Sequence, residues 1–186
     1  MTFKFNITLN EITQPPVWRK LLVPEDFTFY RMHLVIQVAF GWKGGHLFEF
    51  SAASRSRSPV ITLADQDVNE DEFLDCKKTR LNDIFTAPEQ KLTYLYDFGD
   101  SWNHLMTLEE IRDQPMTNAD CIDGWGACPP EDCGGSPGYH ELKLLMKSPG
   151  SLEYNEMHEW LRLPKGQTWN ADRFDLAKAK IAVQKI

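Results

Sequence analysis

Residues 3–9, Phe3-Lys4-Phe5-Asn6-Ile7-Thr8-Leu9, alternate apolar and polar side chains without a break. A period of two puts Phe3, Phe5, Ile7 and Leu9 on one side of an extended chain and Lys4, Asn6 and Thr8 on the other. A strand with one greasy face cannot stand alone. It demands neighbouring strands and a layer to cover that face, which commits the chain to a sheet-based fold from its first residues. Pro15-Pro16 ends the first run, and "VWRKLLVPED" reads as a second strand reaching Pro24.

The next stretch changes period. In "TFYRMHLVIQVAFG" Phe29, Met32, Ile36 and Phe40 share one helical face, with Thr28 placed to cap the N-terminus and Gly41 to stop the helix. "HLFEFSA" returns to strand pattern, whereas the polar run 51–75 lacks apolar anchors and is expected to loop out as the most mobile internal region. The β-rich runs "KLTYLYDF" and "WNHLMTLEEI" flank Gly99-Asp100-Ser101, a hairpin with the glycine such a tight turn requires. Residues 113–137 are irregular and turn-rich. Beyond 138 the spacing is helical, with Asn170 as an N-cap candidate for the last helix, and Ser136 and Pro137 at cap and first position of the helix after the turn-rich loop.

These readings sum to an α+β fold: a mixed, mainly antiparallel sheet with an early crossing helix and a C-terminal helical cluster. The expected organisation is a single domain, 1–186, with a sheet-forming core over 1–111 that contains helix 28–40, a turn-rich loop over 112–137 and a helical region over 138–186. A chain of 186 residues, 42% hydrophobic and rich in tryptophan, has the material for such a core.

Charge narrows the partners. Twenty Lys and Arg against 27 Asp and Glu leave a net charge of −7, which argues against extended binding to duplex nucleic acid. No run approaches the length of a membrane span and no signal-peptide pattern follows Met1, so the expectation is a cytoplasmic protein with no membrane partner. In a reducing compartment the four cysteines are thiols or metal ligands rather than disulfides.

Two constellations carry chemistry. The first is "DGWGACPPEDCGG", 123–135, with Cys121 just before it; Cys121, Cys128 and Cys133 are spaced x6 and x4, which is not the set of tight C-x2-4-C pairs that structural zinc normally shows. Free thiols in a rigid turn are the preferred reading, and a metal centre on these cysteines the lesser one. The second comprises His46, Asp97, Asp100 and His104, carboxylates and imidazoles of the type that suits a divalent metal, with the alternative that the acids merely close the hairpin turn. Trp42 and Trp102 stand beside them. If a pocket exists, it is expected where the 97–104 turn meets His46 and the 121–135 loop, lined by Trp42, His46, Asp97, Asp100, Trp102 and His104, with Glu131 and Asp132 as the candidate catalytic acids. "DFG" at 97–99 lacks the phosphate loop and lysine of a kinase, and "HEL" and "HEW" lack the second histidine of a zincin helix.

Four segments, "PPVWRKLLVP" (15–24), "LVIQVAFGWKGGHLFEF" (34–50), "YLYDFGDSWNHLMTLE" (94–109) and "CIDGWGACPPEDCGGSPGYHEL" (121–142), together resemble the plasmid pRiA4b ORF-3-like family, whose members are also labelled passenger proteins of an insertion element related to IS1096. The resemblance implies an α+β domain with a large mixed sheet and an association with plasmids or mobile elements. It implies no established activity. Some members carry a resolvase label, but recombination needs a nucleophile beside an arginine cluster on a basic surface, and no such group stands out here. The family pattern "HLHEF" is "HLFEF" in this chain, so Phe48 replaces a second histidine. Two functions follow as expectations: a non-enzymatic binding or interaction module for a protein or small-molecule ligand, or a small metal-dependent hydrolase of phosphoesters or nucleic acid using His46, Asp97, Asp100 and His104 as ligands and Glu131 or Asp132 as base.

Overall fold

The structure is a computed structural model that describes residues 1–52, 60–64 and 73–186. In chain order its elements are β1 (Thr2–Thr13), β2 (Pro16–Pro24), α1 (Phe29–Phe40), β3 (Phe48–Ala52), β4 (Val60–Thr62), β5 (Phe73–Asp75), α2 (Leu81–Ile84), β6 (Lys91–Tyr96), β7 (Trp102–Arg112), β8 (Asp120–Trp125), α3 (Gly135–Leu145), α4 (Leu152–Trp160) and α5 (Leu176–Val183). All described strands join one sheet in the order β5-β4-β3-β6-β7-β1-β2-β8. Only β4 and β5 pair in parallel; every other pairing is antiparallel. The fold is α+β with a mixed, mainly antiparallel sheet, an early helix and a C-terminal helical cluster.

The alternation of β1 does what its period dictates. Phe3, Phe5, Ile7 and Leu9 are buried, and the strand sits centrally between β2 and β7. On the opposite face Lys4 and Lys20 reach Glu109 at 3.0 and 3.1 Å, a cross-strand charge cluster on the wet side of the sheet. Helix α1 covers the apolar face through Phe29, Met32 and Ile36, with Phe29 packed 5.0 Å from Phe50 and Phe5 5.0 Å from Phe85. The Thr28 side chain accepts the Arg31 amide, and Gly41, at φ 99, turns the chain out of the helix.

Several boundaries move. The turn-rich stretch 113–137 contains a true strand, β8, which pairs with β2 through a register shift at Lys20/Leu21 and closes one edge of the sheet. Its glycine and cysteine content hid it, because Gly124 is needed where the Phe174 ring lies against the strand: a Cβ there would stand 2.5 Å from Phe174. Helix α3 begins at Gly135 behind a left-handed Gly134, so Ser136 and Pro137 lie inside its first turn rather than at cap and first position; the Ser136 hydroxyl instead donates to Glu11. The last helix is capped by Asp175, whose carboxylate accepts the Lys178 amide, and not by Asn170, which closes a local turn onto the Asp172 amide. Of the polar run 51–75, residues 53–59 and 65–72 lie outside the described residues, and its described parts include the edge strands β4 and β5. Among the described residues no helix is long and apolar enough to cross a membrane.

Candidate functional site

Three turn-held segments meet at one end of the sheet: the loop 42–46 after α1, the hairpin turn 97–101 and the loop 126–134. Asp97 adopts the left-handed conformation at φ 57, which Asp tolerates better than most residues. Its amide donates to the Leu47 carbonyl at 2.9 Å, and its Oδ1 accepts the amides of Gly99 and Asp100 at 2.9 and 3.3 Å. One carboxylate oxygen thus holds the turn shut and the other, Oδ2, is left 3.5 Å from Nδ1 of His46. On the far side of the imidazole, Nε2 lies 3.5 Å from Oδ1 of Asp132, itself left-handed at φ 59. His46, Asp97 and Asp132 each offer a ligand atom, and the three atoms lie within 4.8 Å of one another. Imidazole with two carboxylates is a donor set for a borderline or hard divalent ion, and the exposed Asp132 leaves positions open to solvent or ligand.

The loop that supplies Asp132 is pinned by its neighbours. Glu131 Oε1 accepts both the Lys43 amide at 2.9 Å and the Tyr96 hydroxyl at 2.8 Å. Trp42 Nε1 donates to the Pro129 carbonyl at 2.9 Å, and the Gly134 amide donates to Asp100 Oδ2 at 3.2 Å. Burial raises the Tyr96 phenol, and the hydrogen bond to Glu131 raises it further, so it remains a donor to that carboxylate.

The expected constellation is therefore only partly assembled. His46 and Asp97 converge, joined by Asp132, but His104 does not belong to the site. It is fully buried, its Nδ1 lies 3.2 Å from the Tyr94 carbonyl and 3.0 Å from that of Trp102, and its ring meets Phe40 and Trp42 edge to face. Two carbonyl acceptors make Nδ1 the protonated nitrogen, and burial lowers its pKa to about 4, so it is a neutral core residue. Trp102 and Trp42 are core as well, and Asp100 ties turn to loop through Gly134 rather than facing His46. Glu131, a candidate base, is an anchor. Cys121, Cys128 and Cys133 form no metal-holding group among the described residues; all four cysteines are free, and burial raises Cys121 to about 11 and Cys76 and Cys133 to about 12.

The model of the plasmid pRiA4b ORF-3-like proteins matches residues 1–178. The chain belongs to this family. It is 31% identical over 158 residues to an uncharacterised protein, y4hQ, of Sinorhizobium fredii, covering 84% of this chain and 79% of that one. A crystal structure of a protein of unknown function, MM3350 from Methanosarcina mazei Go1, is similar with a TM-score of 0.78 and 31% identity, covering 95% of this chain and 96% of that one. The three site loops fall within three of the four segments that carry the resemblance, 34–50, 94–109 and 121–142. Phe48, where the family pattern has a second histidine, stacks on the His33 ring at 3.7 Å and faces α1, away from the carboxylates. The pair His46-Asp97 does not depend on it.

Pattern reading missed Arg19. In β2 the inward phase is Val17, Arg19, Leu21 and Val23, so an arginine occupies a core position of an otherwise apolar row. It is 2% exposed and has no carboxylate partner among the described residues. Instead its Nε donates to the Ala39 carbonyl at 3.0 Å, Nη1 to those of Trp18 and Trp125 at 2.7 Å, and Nη2 to that of Gly126 at 3.0 Å. The planar head is held between Phe174, 3.9 Å away, and Phe40 at 4.9 Å. The inward phase was visible in the sequence; the partners, from α1, β8 and the C-terminal segment, were not. Beside Arg19, between the end of α1, the 127–132 loop and the C-terminal helices, opens a cleft of about 710 Å³. Trp42 and Asp132 line it, but His46, Asp97, Asp100, Trp102 and His104 do not, so the cavity is displaced from the hairpin turn where the pocket was expected.

Proposed function

We propose that the protein is a non-enzymatic binding module that recognises its ligand with the help of a divalent cation held by His46, Asp97 and Asp132. The observation that carries this reading is the delivery of one imidazole and two carboxylates, from three segments separated in sequence, to positions within 4.8 Å. Each carrier is fixed independently: Asp97 by its turn, Asp132 by the Glu131 anchor beside it, His46 by the strand that follows. Three protein ligands leave coordination positions for an oxygen donor of a small molecule or a protein segment. A metal-dependent hydrolase would need a base near the ion, and Glu131 is spent on the Lys43 amide and the Tyr96 hydroxyl, which favours binding over catalysis.

The test is direct. Protein freed of metal by chelator and titrated calorimetrically with Mn²⁺ and Zn²⁺ should bind one equivalent, and His46→Gln and Asp132→Asn should each abolish that binding while the melting temperature holds. Wild-type protein that takes up neither ion overturns the reading.

A further inference from the structure

The walls of the cleft beside Arg19 carry Arg19, Lys43, Arg162, Arg173 and Lys178 against Glu131, Asp132 and Asp175. The balance is positive on a protein whose net charge is −7. The acids are partly engaged, though they keep their charge: Glu131 accepts the Lys43 amide and the Tyr96 hydroxyl, Asp132 Oδ1 lies 3.5 Å from Nε2 of His46, and Asp175 accepts the Lys178 amide in the first turn of α5. The cations are not. Lys43, Arg162, Arg173 and Lys178 are exposed, and among the described residues their charged heads make no ion pair and no hydrogen bond.

Arg19 adds a buried charge to this field. A guanidinium has five N–H donors, and four carbonyls take four of them, so one N–H of Nη2 has no acceptor among the described residues on a side chain that lines the cleft. Carbonyl dipoles solvate a cation without cancelling its charge, and a buried charge left without a counter-ion is costly. A cleft whose walls carry an excess of one sign of charge, here five cations against three acids, concentrates the opposite sign within it. Guanidinium forks match the paired oxygens of phosphate, and the cleft volume of about 710 Å³ is that of a small-molecule site rather than a polymer groove. The same cleft is lined by Trp160, an indole 47% exposed on a helix whose buried residue is Tyr154, which offers an apolar plane next to the cations.

We infer that this cleft binds a small phosphorylated molecule carrying a flat ring, of which a nucleotide is the simplest form. The inference rests on the reading of the protein as a binding module but needs no bound cation: His46 and Asp97 lie outside the cleft, and Asp132 alone is shared between the two sites.

Tryptophan fluorescence of the full chain in chelator, titrated with ATP, pyrophosphate, adenosine and citrate, tests it. ATP should bind saturably and more weakly at high salt, pyrophosphate should compete with it, and citrate should not match either. The double variant Arg173→Ala with Lys178→Ala, and separately Lys43→Ala on the opposite wall, should each weaken ATP at least roughly tenfold with the melting temperature unchanged. Trp160→Ala should weaken ATP but not pyrophosphate, and because the titration is run in chelator, saturable ATP binding there separates this site from the cation site. No saturable response to ATP or pyrophosphate up to millimolar concentration, wild-type affinity in the cation variants, or citrate binding as tightly as ATP would each overturn the assignment.

Discussion

The Arg19 guanidinium lies 3.9 Å from the centre of the Phe174 ring, so a residue of the second strand is capped by a residue that arrives after the fourth helix. This contact and the ion pair of Lys180 with Asp120 at 3.1 Å fasten the C-terminal segment to the edge strand β8. Removing the charge without its acceptors should be severe. Arg19→Leu leaves four carbonyls without a donor, and we expect a loss of about 3–5 kcal/mol in urea unfolding. Phe174→Ala should cost less, about 1–3 kcal/mol, and should make the segment after Trp160 sensitive to protease. An Arg19→Leu protein as stable as wild type would show that the carbonyl cage contributes nothing.

Two buried histidines set an acid limit on stability. Burial lowers both His33 and His104 from 6.5 to about 4. A depressed folded-state value means the unfolded chain binds the extra protons, so stability is complete above pH 6.5 and declines as pH falls towards 4. Each histidine should contribute a slope of about 1.4 kcal/mol per pH unit within that window. Urea midpoints measured from pH 7.5 to 4.5 check this, and a flat profile between 6.5 and 5 would refute it. His104→Gln, which removes an imidazole packed against Phe40 and Trp42, should destabilise rather than affect ligand binding alone.

Glu131 is expected to act as a fastener. Glu131→Ala removes the acceptor of both the Lys43 amide and the Tyr96 hydroxyl, and should cost about 1–3 kcal/mol while weakening any cation bound through the adjacent Asp132. Glu131→Gln, which keeps an acceptor oxygen, should recover most of the stability. If Gln is as damaging as Ala, the carboxylate has a role beyond anchoring.

The cysteines should be chemically quiet. Cys76, Cys121, Cys128 and Cys133 are all raised by burial, and the thiolate is the reactive form, so native protein should react slowly with a thiol reagent at neutral pH and release the full complement of four thiols only on unfolding. Rapid modification in the folded state would contradict the buried positions of Cys76 and Cys121.

Glycine at 138 is required by space. A Cβ there would stand 1.7 Å from the Cys133 carbonyl oxygen, backbone that cannot swing aside, so Gly138→Ala should distort the start of α3 and the loop before it. Circular dichroism and melting should register the change. An unaltered melting temperature would mean that the loop 126–134 is free to move.

The sequence by itself determined whatever depends on neighbours along the chain. The alternation of β1, the helix between Thr28 and Gly41, and the hairpin around Gly99 all follow from periods of two and 3.6 and from residues that tolerate caps and turns. The strand period also places His104 in the buried row of Trp102, Met106 and Leu108 and Arg19 in that of Val17 and Leu21, a signal the sequence reading did not use when it set His104 among candidate ligands and passed over Arg19. Tertiary structure alone decided which acids meet His46. Asp97 and Asp132 come from different turns, and their convergence depends on strand order, on the Glu131 bond to Tyr96 and on the left-handed backbone at both aspartates, none of which leaves a periodic trace. β8 escaped for the same reason: a glycine-bearing strand is recognised by the strand it pairs with and by the Phe174 ring that needs its missing Cβ, and both partners are remote in sequence. The cleft is a product of docking, formed where the C-terminal helices stand off from the end of α1, and its charge comes from residues that share no motif.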